Sequence, residues 1–579
     1  MKVLSVITFV TCMIVPSIAM ADLTVPNFFS DHMVLQRDGE AQIWGMAAPG
    51  ADVAIEFGDK NFAAKADAKG KWRTGIATGP ANSDGRPIKI SSGDETIEIK
   101  DVLVGEVWLA SGQSNMAFPL ARVPEYVEML KTIDMPGVRM FCAAPTAAAE
   151  PKDNIAGEWL LPNTKSGNSM SAVAFFFAKK LHEELDVPVG IIKTAWGGKP
   201  VETFTSREAL NSLPETKMLV DKLMAQQKGY NQEAADKNYA KRKTQYESAV
   251  KAWQADGKAA GKRRPRAPGK PKPPLMTEGR PGVLYDGMIH PFVGYSMTGA
   301  IWYQGEANAK HGQVPYDVTL PLMIRDWRKR WGSDFAFEFV QLANFKSVAS
   351  EPGNNDPWPL LQDRMRLVLD TTPNTGMAVI NDVGAANDIH PKDKKSPGDR
   401  LALWALAKTY GKDVVYSGPL FASIKNETDS ITVNFNAVGD GLKSRDGGPL
   451  KRFEVAGSDK VWHWADAEIT GKSTVKISST NVSDPVAVRY AWAANPEGAN
   501  LVNSEGLPTS IFRTDDWNDV VPQESTNVDK NAKEIRGLAS QIKAMRAKRD
   551  LLEKGSAAHR EVLRELENKA KQLKVLQGK

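Results

Sequence analysis

The sequence predicts an α/β protein: a parallel sheet covered on both faces by helices, with all-β segments before and after it and a helical tail. Three observations carry that expectation. Apolar runs of strand length alternate with amphipathic helical stretches through the middle of the chain. Short strands of alternating polarity, broken by Gly, Pro and Asp turns, fill both flanks. The C-terminal segment carries apolar residues at 3-4 spacing on a Lys- and Arg-rich background.

Taken in order, residues 1–21 read as a secretory signal peptide. Lys2 supplies a positive start, Val3 to Pro16 is an apolar run, and Ala19-Met20-Ala21 is a small-residue cleavage site. The run is too short for a good membrane anchor. Cys12 follows Phe9-Val10-Thr11, without the Leu and small residues expected ahead of a lipid-modified Cys. The mature chain is therefore expected to begin near Asp22 and to be secreted, periplasmic or extracellular, with no membrane span. Cys142 alone is then left, which excludes an intrachain disulfide and a thiolate metal cluster.

Residues 22–101 read as an N-terminal β-sandwich, with Ala41-Gln-Ile-Trp-Gly45, Asp52-Val-Ala-Ile-Glu-Phe57 and Thr96-Ile-Glu-Ile-Lys100 as strands. Residues 102–412 carry the parallel sheet. Strands are expected at 102–110, 187–195, 297–303, 335–342 and 376–381, and helices at 169–185, 316–331, 358–370 and 395–410. A basic insertion at 206–280, helical at first and then an extended Lys/Arg/Pro stretch, interrupts them. Residues 413–526 return to short strands, such as Ser430-Ile-Thr-Val-Asn-Phe435, and form a second β-sandwich. In the tail, 527–579, Ile535, Leu538, Ile542, Met545 and Leu552, then Val562, Leu566 and Leu573, follow helical spacing, with Gly555-Ser556 between the two sets. A coiled-coil-like antiparallel hairpin is expected.

The net charge is +5, but it is not evenly spread. The insertion and the tail are strongly basic and the remainder is mildly acidic. Two basic appendages on an ordinary body argue against a nucleic-acid-binding core. For the tail they suggest self-association or contact with a polyanion.

In a parallel sheet, ligands bind beyond the carboxyl ends of the strands. The first strand stops at Ser111-Gly112-Gln113-Ser114-Asn115-Met116, a tight turn suited to presenting a serine nucleophile. The next stops at Trp196-Gly197-Gly198, where paired glycines admit a backbone N–H close to a ligand. The third stops at Trp302-Tyr303-Gln304-Gly305-Glu306-Ala307-Asn308. The last stops at Asn381-Asp382, and Asn387-Asp388-Ile389-His390-Pro391 follows. Each alone has an ordinary reading: a Ser-rich turn, a Gly-Gly loop, a hydrogen-bonded structural His. Together they bring a nucleophile, a glycine hole, an amide and a His–Asp pair to one sheet edge.

This ordered set resembles the sialate O-acetylesterase-like family of SGNH hydrolases, which are carbohydrate acetyl esterases. The resembling stretches are Met33-Val-Leu-Gln-Arg37 with Trp44-Gly45, Gly105-Glu-Val-Trp-Leu-Ala-Ser-Gly-Gln-Ser-Asn-Met116, Trp196-Gly-Gly198, Trp302-Tyr-Gln-Gly-Glu306, Asp388-Ile-His-Pro391 and Gly398-Asp-Arg-Leu-Ala-Leu-Trp404. They span residues 23–513 apart from the insertion. The resemblance implies a flavodoxin-like three-layer hydrolase domain and a serine esterase acting on O-acetylated carbohydrates without metal or cofactor. Ser114 would be the nucleophile and His390 the general base and acid. The Ser114 amide, the Gly198 amide and a side chain of the third motif would form the oxyanion hole.

Two departures leave alternatives. The place three residues before the His, where the wider pattern puts the triad acid, holds Asn387, so Asp388 is the first choice and Asp382 the second. The third motif lacks the usual Gly-x-Asn, so Gln304 or Asn308 would supply the amide. Glu306 would orient it or, with Trp196, meet substrate. Trp302 and Tyr303 fit a sugar platform or the core equally. Two other functions stay open: a non-catalytic carbohydrate-binding or cell-surface scaffold, which would be expected to lose Ser114 or His390, and an SGNH hydrolase of other esters.

Overall fold

The computed structural model describes residues 22–257, 263–517, 545 and 557–576. The signal peptide and the first helix of the expected tail hairpin, apart from Met545, lie outside the described residues. The fold is mixed α/β, built on a large central sheet with further β-sheets at either end.

The central sheet runs in the order Thr375–Ala378, Ala336–Val340, Gly299–Tyr303, Glu95–Gly112, Val189–Ala195, Val138–Ala143, Gly157–Leu160. All neighbours pair in parallel except the last two strands. The strands 138–143 and 157–160 are additions to the five expected. Every residue of Gly299–Tyr303 and of Ala336–Val340 is buried, as required when helices cover both faces. Register aligns the strand ends: Gly112 lies beside Ala195 and Tyr303, and Ser111 beside Thr194 and Trp302. Three of the loops singled out in the sequence therefore leave the sheet at one level.

Side chains alternate across the sheet, so Trp108 and Ser111 point to opposite faces. On the Trp108 face, Phe177 of helix Ala172–Leu185 meets the indole edge-on, and helix Lys395–Trp404 packs beside it through Gly398. Trp302, in register with Ser111, meets Trp327 of helix Tyr316–Trp331 on the other face. Ser171 starts the first of these helices by accepting the Ala174 amide (3.2 Å). Gly332 ends the last in a left-handed conformation (φ 66°).

The strand Glu95–Gly112 is 18 residues long and serves two sheets. Its first part pairs antiparallel with Asn82–Ser92 in the N-terminal β region. Its second part is the middle of the parallel sheet. At the C-terminal end, Leu420–Asn426, Ile431–Asn436, Thr474–Ser478 and Asp466–Ile469 form one antiparallel sheet, and Trp462–Trp464, Phe453–Ala456, Ala487–Tyr490 and Phe512–Arg513 another. The two share an apolar core that includes Val433, Phe435, Val455, Val475 and Phe512.

The insertion contains helices Pro214–Lys228 and Gln232–Ala252. The first is pinned to the body by Val220, which packs with Leu210 and Leu322, whereas the second buries no residue. In the tail, Val562 and Leu566 of helix Ala557–Leu576 are buried and packed with Met545. Among the described residues no helix is long and apolar enough to cross a membrane.

Candidate active site

Gly112 makes the turn that presents Ser114. Its φ is +136°, and a Cβ there would come within 2.2 Å of the Tyr303 carbonyl oxygen, so only glycine fits between the two strand ends. The Gln113 amide donates to that same carbonyl (3.0 Å), which holds the next residue, Ser114, at the sheet edge.

His390 Nε2 lies 2.8 Å from Ser114 Oγ. The imidazole belongs to a loop tied down by Asp388, whose Oδ1 accepts the His390 amide (2.9 Å). The same oxygen is 3.6 Å from His390 Nδ1, an ionic separation longer than a hydrogen bond. Burial pushes the His390 pKa below its ordinary value; Asp388 opposes this, while Lys394 and Lys392 add to it. The His390 amide hydrogen bond, with help from Lys392 and His390, holds Asp388 below the usual carboxylate range. An imidazole kept neutral and hydrogen-bonded to a serine hydroxyl is equipped to take its proton.

Asp382, the second choice for the orienting acid, does not reach His390. It accepts two hydrogen bonds from Arg400 (2.6 and 2.9 Å) and one from Arg445 (3.1 Å), so its charge fastens the strand end to a helix and to the C-terminal β region.

Gly198 adopts φ +70°, and a Cβ on Gly197 would lie 3.2 Å from Ser114 Cβ. Among the described residues, neither the Ser114 nor the Gly198 amide donates to a protein acceptor. The two amides thus remain available to an oxyanion.

The expected third donor is corrected by the hydrogen bonding. Gln304 Nε2 is used up on Asn308 Oδ1 (2.7 Å), Gln113 Oε1 (3.2 Å) and the Lys199 carbonyl (3.2 Å), while its Oε1 accepts from the Tyr316 hydroxyl. Asn308 Nδ2 donates to Glu202, and its Oδ1 also accepts the Val201 amide. Both amides brace the loops instead of facing Ser114. Gln113, which the sequence did not single out, is part of the same brace: its Oε1 accepts from Gln304 Nε2 and from the Ala307 amide.

Glu306 is likewise not placed to touch substrate. It is buried, and its Oε1 accepts from Asn115 Nδ2 (2.5 Å); burial raises its pKa. Asn115 Nδ2 also donates to the Ile389 carbonyl (3.1 Å), and Asn115 Oδ1 accepts from Lys394 Nζ (2.6 Å). Asn115, the residue after the candidate nucleophile, is therefore tied directly to Ile389, the residue before the candidate base. Lys394 is wholly buried, lies over the rings of Phe118 and Tyr303, and is pushed down to about 7 by desolvation. Trp302 and Tyr303 are fully buried core residues, so neither is a sugar platform. Trp196 is half-exposed at the site's edge, with Lys199 Nζ 5.4 Å from its ring centre.

No family profile matches the chain. It is 29% identical over 514 residues to the sialate O-acetylesterase of Rattus norvegicus, an alignment covering 81% of this chain and 89% of the relative. The Homo sapiens sialate O-acetylesterase is 27% identical over 514 residues, 81% of this chain and 87% of the relative. Among solved structures, a carbohydrate acetylesterase from Xanthomonas citri superposes with a TM-score of 0.71 at 33% identity, covering 86% of this chain and all of that one.

Proposed function

The chain belongs to the sialate O-acetylesterase-like family of carbohydrate acetylesterases, and from that premise we propose how its own residues carry out the hydrolysis of carbohydrate O-acetyl esters. Ser114 Oγ attacks the acetyl carbonyl as His390 Nε2 takes its proton. The sugar hydroxyl leaves with that proton, and an acetyl-enzyme remains on Ser114. Water, deprotonated by the same imidazole, then attacks the acetyl carbon; the bond from that carbon to Ser114 Oγ breaks, the imidazolium returns the proton to Oγ, and acetate leaves. Negative charge on the carbonyl oxygen is met by the Ser114 and Gly198 amides. Asp388 stabilises the transient imidazolium from 3.6 Å and, through the His390 amide, holds the loop in place.

The observation that supports this reading best is the 2.8 Å approach of His390 Nε2 to Ser114 Oγ at the end of a buried parallel strand. The same proposal makes residues 102–412 a flavodoxin-like SGNH hydrolase domain with insertion 206–280. Residues 22–101 and 413–526 are its β-sandwich flanks, and 527–579 a helical tail. The protein is secreted after cleavage near Ala21. The test is Ser114→Ala: acetate release from an O-acetylated glycan, and turnover of p-nitrophenyl acetate, should fall by several orders of magnitude with the fold unchanged. A folded variant with near-wild-type turnover would remove Ser114 as nucleophile.

A further inference from the structure

Where the insertion meets the strand ends there is a cavity of about 260 Å³, bounded by Gly198 and Ala307 on one side and by Leu219 and Leu223 of helix Pro214–Lys228 on the other, with Lys222 and Arg280 on its walls. Sites for drug-sized ligands begin at roughly 300 Å³, so this one suits a single sugar ring. Two links put it next to Ser114. Gly197, preceding Gly198, is the residue whose Cβ would crowd Ser114, and the Ala307 amide donates to Gln113 Oε1 (3.3 Å). Neither Ser114 nor His390 lines it. The cavity therefore adjoins the reacting position without containing it, as the place of a neighbouring unit requires.

The charges around it are uneven. Among the described residues, the Lys222 and Arg280 side chains make no hydrogen bond or ion pair, whereas nearby cations are engaged: Lys217 with Asp221 (2.6 Å) and Lys272 with Glu278 (3.5 Å). Glu202, an acid of the lining, is buried and bound by Asn308. The leucines offer an apolar wall to the C–H face of a sugar, and two uncommitted cations beside it favour an anion.

Resting on the acetylesterase reading above, we propose that the insertion builds a leaving-group subsite in which Lys222 and Arg280 bind the carboxylate of an acidic sugar joined to the acetylated one. The experiment compares an O-acetylated oligosaccharide carrying a uronic acid branch, the same oligosaccharide with its carboxyl reduced to the alcohol, and p-nitrophenyl acetate. Each is assayed with the wild-type chain, Lys222→Gln, Arg280→Gln and the double variant. The wild type is expected to favour the acidic oligosaccharide by about tenfold or more in kcat/KM, as one charge-assisted contact allows. This preference should shrink with added salt. Each single variant should lose part of it and the double variant nearly all, with p-nitrophenyl acetate turnover within about twofold throughout. Equal use of the acidic and reduced oligosaccharides by the wild type, or a preference that survives in the double variant, would overturn the subsite. Failure of the wild type to release acetate from either oligosaccharide while it turns over p-nitrophenyl acetate would overturn the subsite alone, and failure on all three esters would overturn the acetylesterase reading and the subsite with it.

Discussion

Asn115→Ala is the most informative single change, because Asn115 is almost wholly buried and joins three segments. The substitution removes its hydrogen bonds to Glu306, to the Ile389 carbonyl and from Lys394. Two of the three involve groups that ionise, and such bonds contribute about 1.5–3 kcal/mol each, against about 1 kcal/mol for a neutral one. Part is recovered when Lys394 shifts further toward its neutral form, so a net loss of about 3–5 kcal/mol is expected, in the range for breaking a buried charged contact. Urea unfolding reads that loss directly. The catalytic effect has a separate origin. Without the Ile389 bond the His390 loop is free to move from Ser114, and a displacement of about 1 Å costs on the order of 10²-fold in rate. The assay is kcat for p-nitrophenyl acetate at a temperature where the variant is fully folded. A stability loss under ~1 kcal/mol, or a kcat within threefold of wild type in the folded variant, would refute the idea that this bridge holds the site together.

Other outcomes follow from the same geometry. If His390 is the base it must be neutral, so kcat/KM should rise with pH through its pKa; since burial and two lysines depress that value, the midpoint is expected below 6.5, and a midpoint above it would contradict the proposed role. Asp388→Asn should lower kcat roughly tenfold, far less than the ~10⁴ of a tightly bonded triad acid, because it is half-exposed and 3.6 Å from Nδ1. Asp382→Asn should cost stability through the lost Arg400 and Arg445 contacts and change kcat little; the reverse order of the two mutants in kcat would reassign the acid. Deleting 529–579 should leave kcat on a small acetyl ester within about threefold, under ~1 kcal/mol in the barrier, while retention on an anionic polysaccharide or the light-scattering mass changes. Abolished turnover in a folded truncation would attach the tail to the site.

Elements with strong periodicity were legible from sequence. Helix Tyr316–Trp331 matches its expected bounds, because an amphipathic stripe ends at a glycine able to take the left-handed cap. The strand Val138–Ala143 was not anticipated. Its residues are buried on both faces apart from a half-buried Cys142, so it lacks alternation, and its membership in the sheet depends on a partner 51 residues downstream, Val189. At the site, the pair lying 2.8 Å apart stood out because each follows a strand end with little else able to do its chemistry. The supporting residues did not stand out. Whether Asp382 or Asp388 lies nearer His390 depends on how two loops fold back, which no local pattern encodes. Lys394 sits in the run Lys392-Asp393-Lys394-Lys395, which reads as a solvated surface, yet it is fully buried beneath the site. The Gln304 and Asn308 amides looked like donors aimed at a ligand, and only their partners reveal them as braces.

The 18-residue strand that ends at the Gly112 turn has a consequence for how this protein can be cut, shuffled or inherited. A module joined by a linker can be removed without disturbing its neighbour. Here the N-terminal β region and the candidate catalytic sheet are paired along successive stretches of one continuous strand. A chain begun at residue 102 would lose Asn82–Ser92 and Val34–Gln36, which pair alongside the root of that strand. The unpaired N–H and C=O groups would be left at the base of the element that carries Ser114. The two regions are therefore expected to travel as one piece, in evolution as in a cloning vector, whereas the C-terminal β region has a core of its own and is fastened to the sheet by side chains, Asp382 to Arg445, Asn381 to the Thr509 carbonyl and Gln341 to Ser510, which an exchanged region would have to supply again.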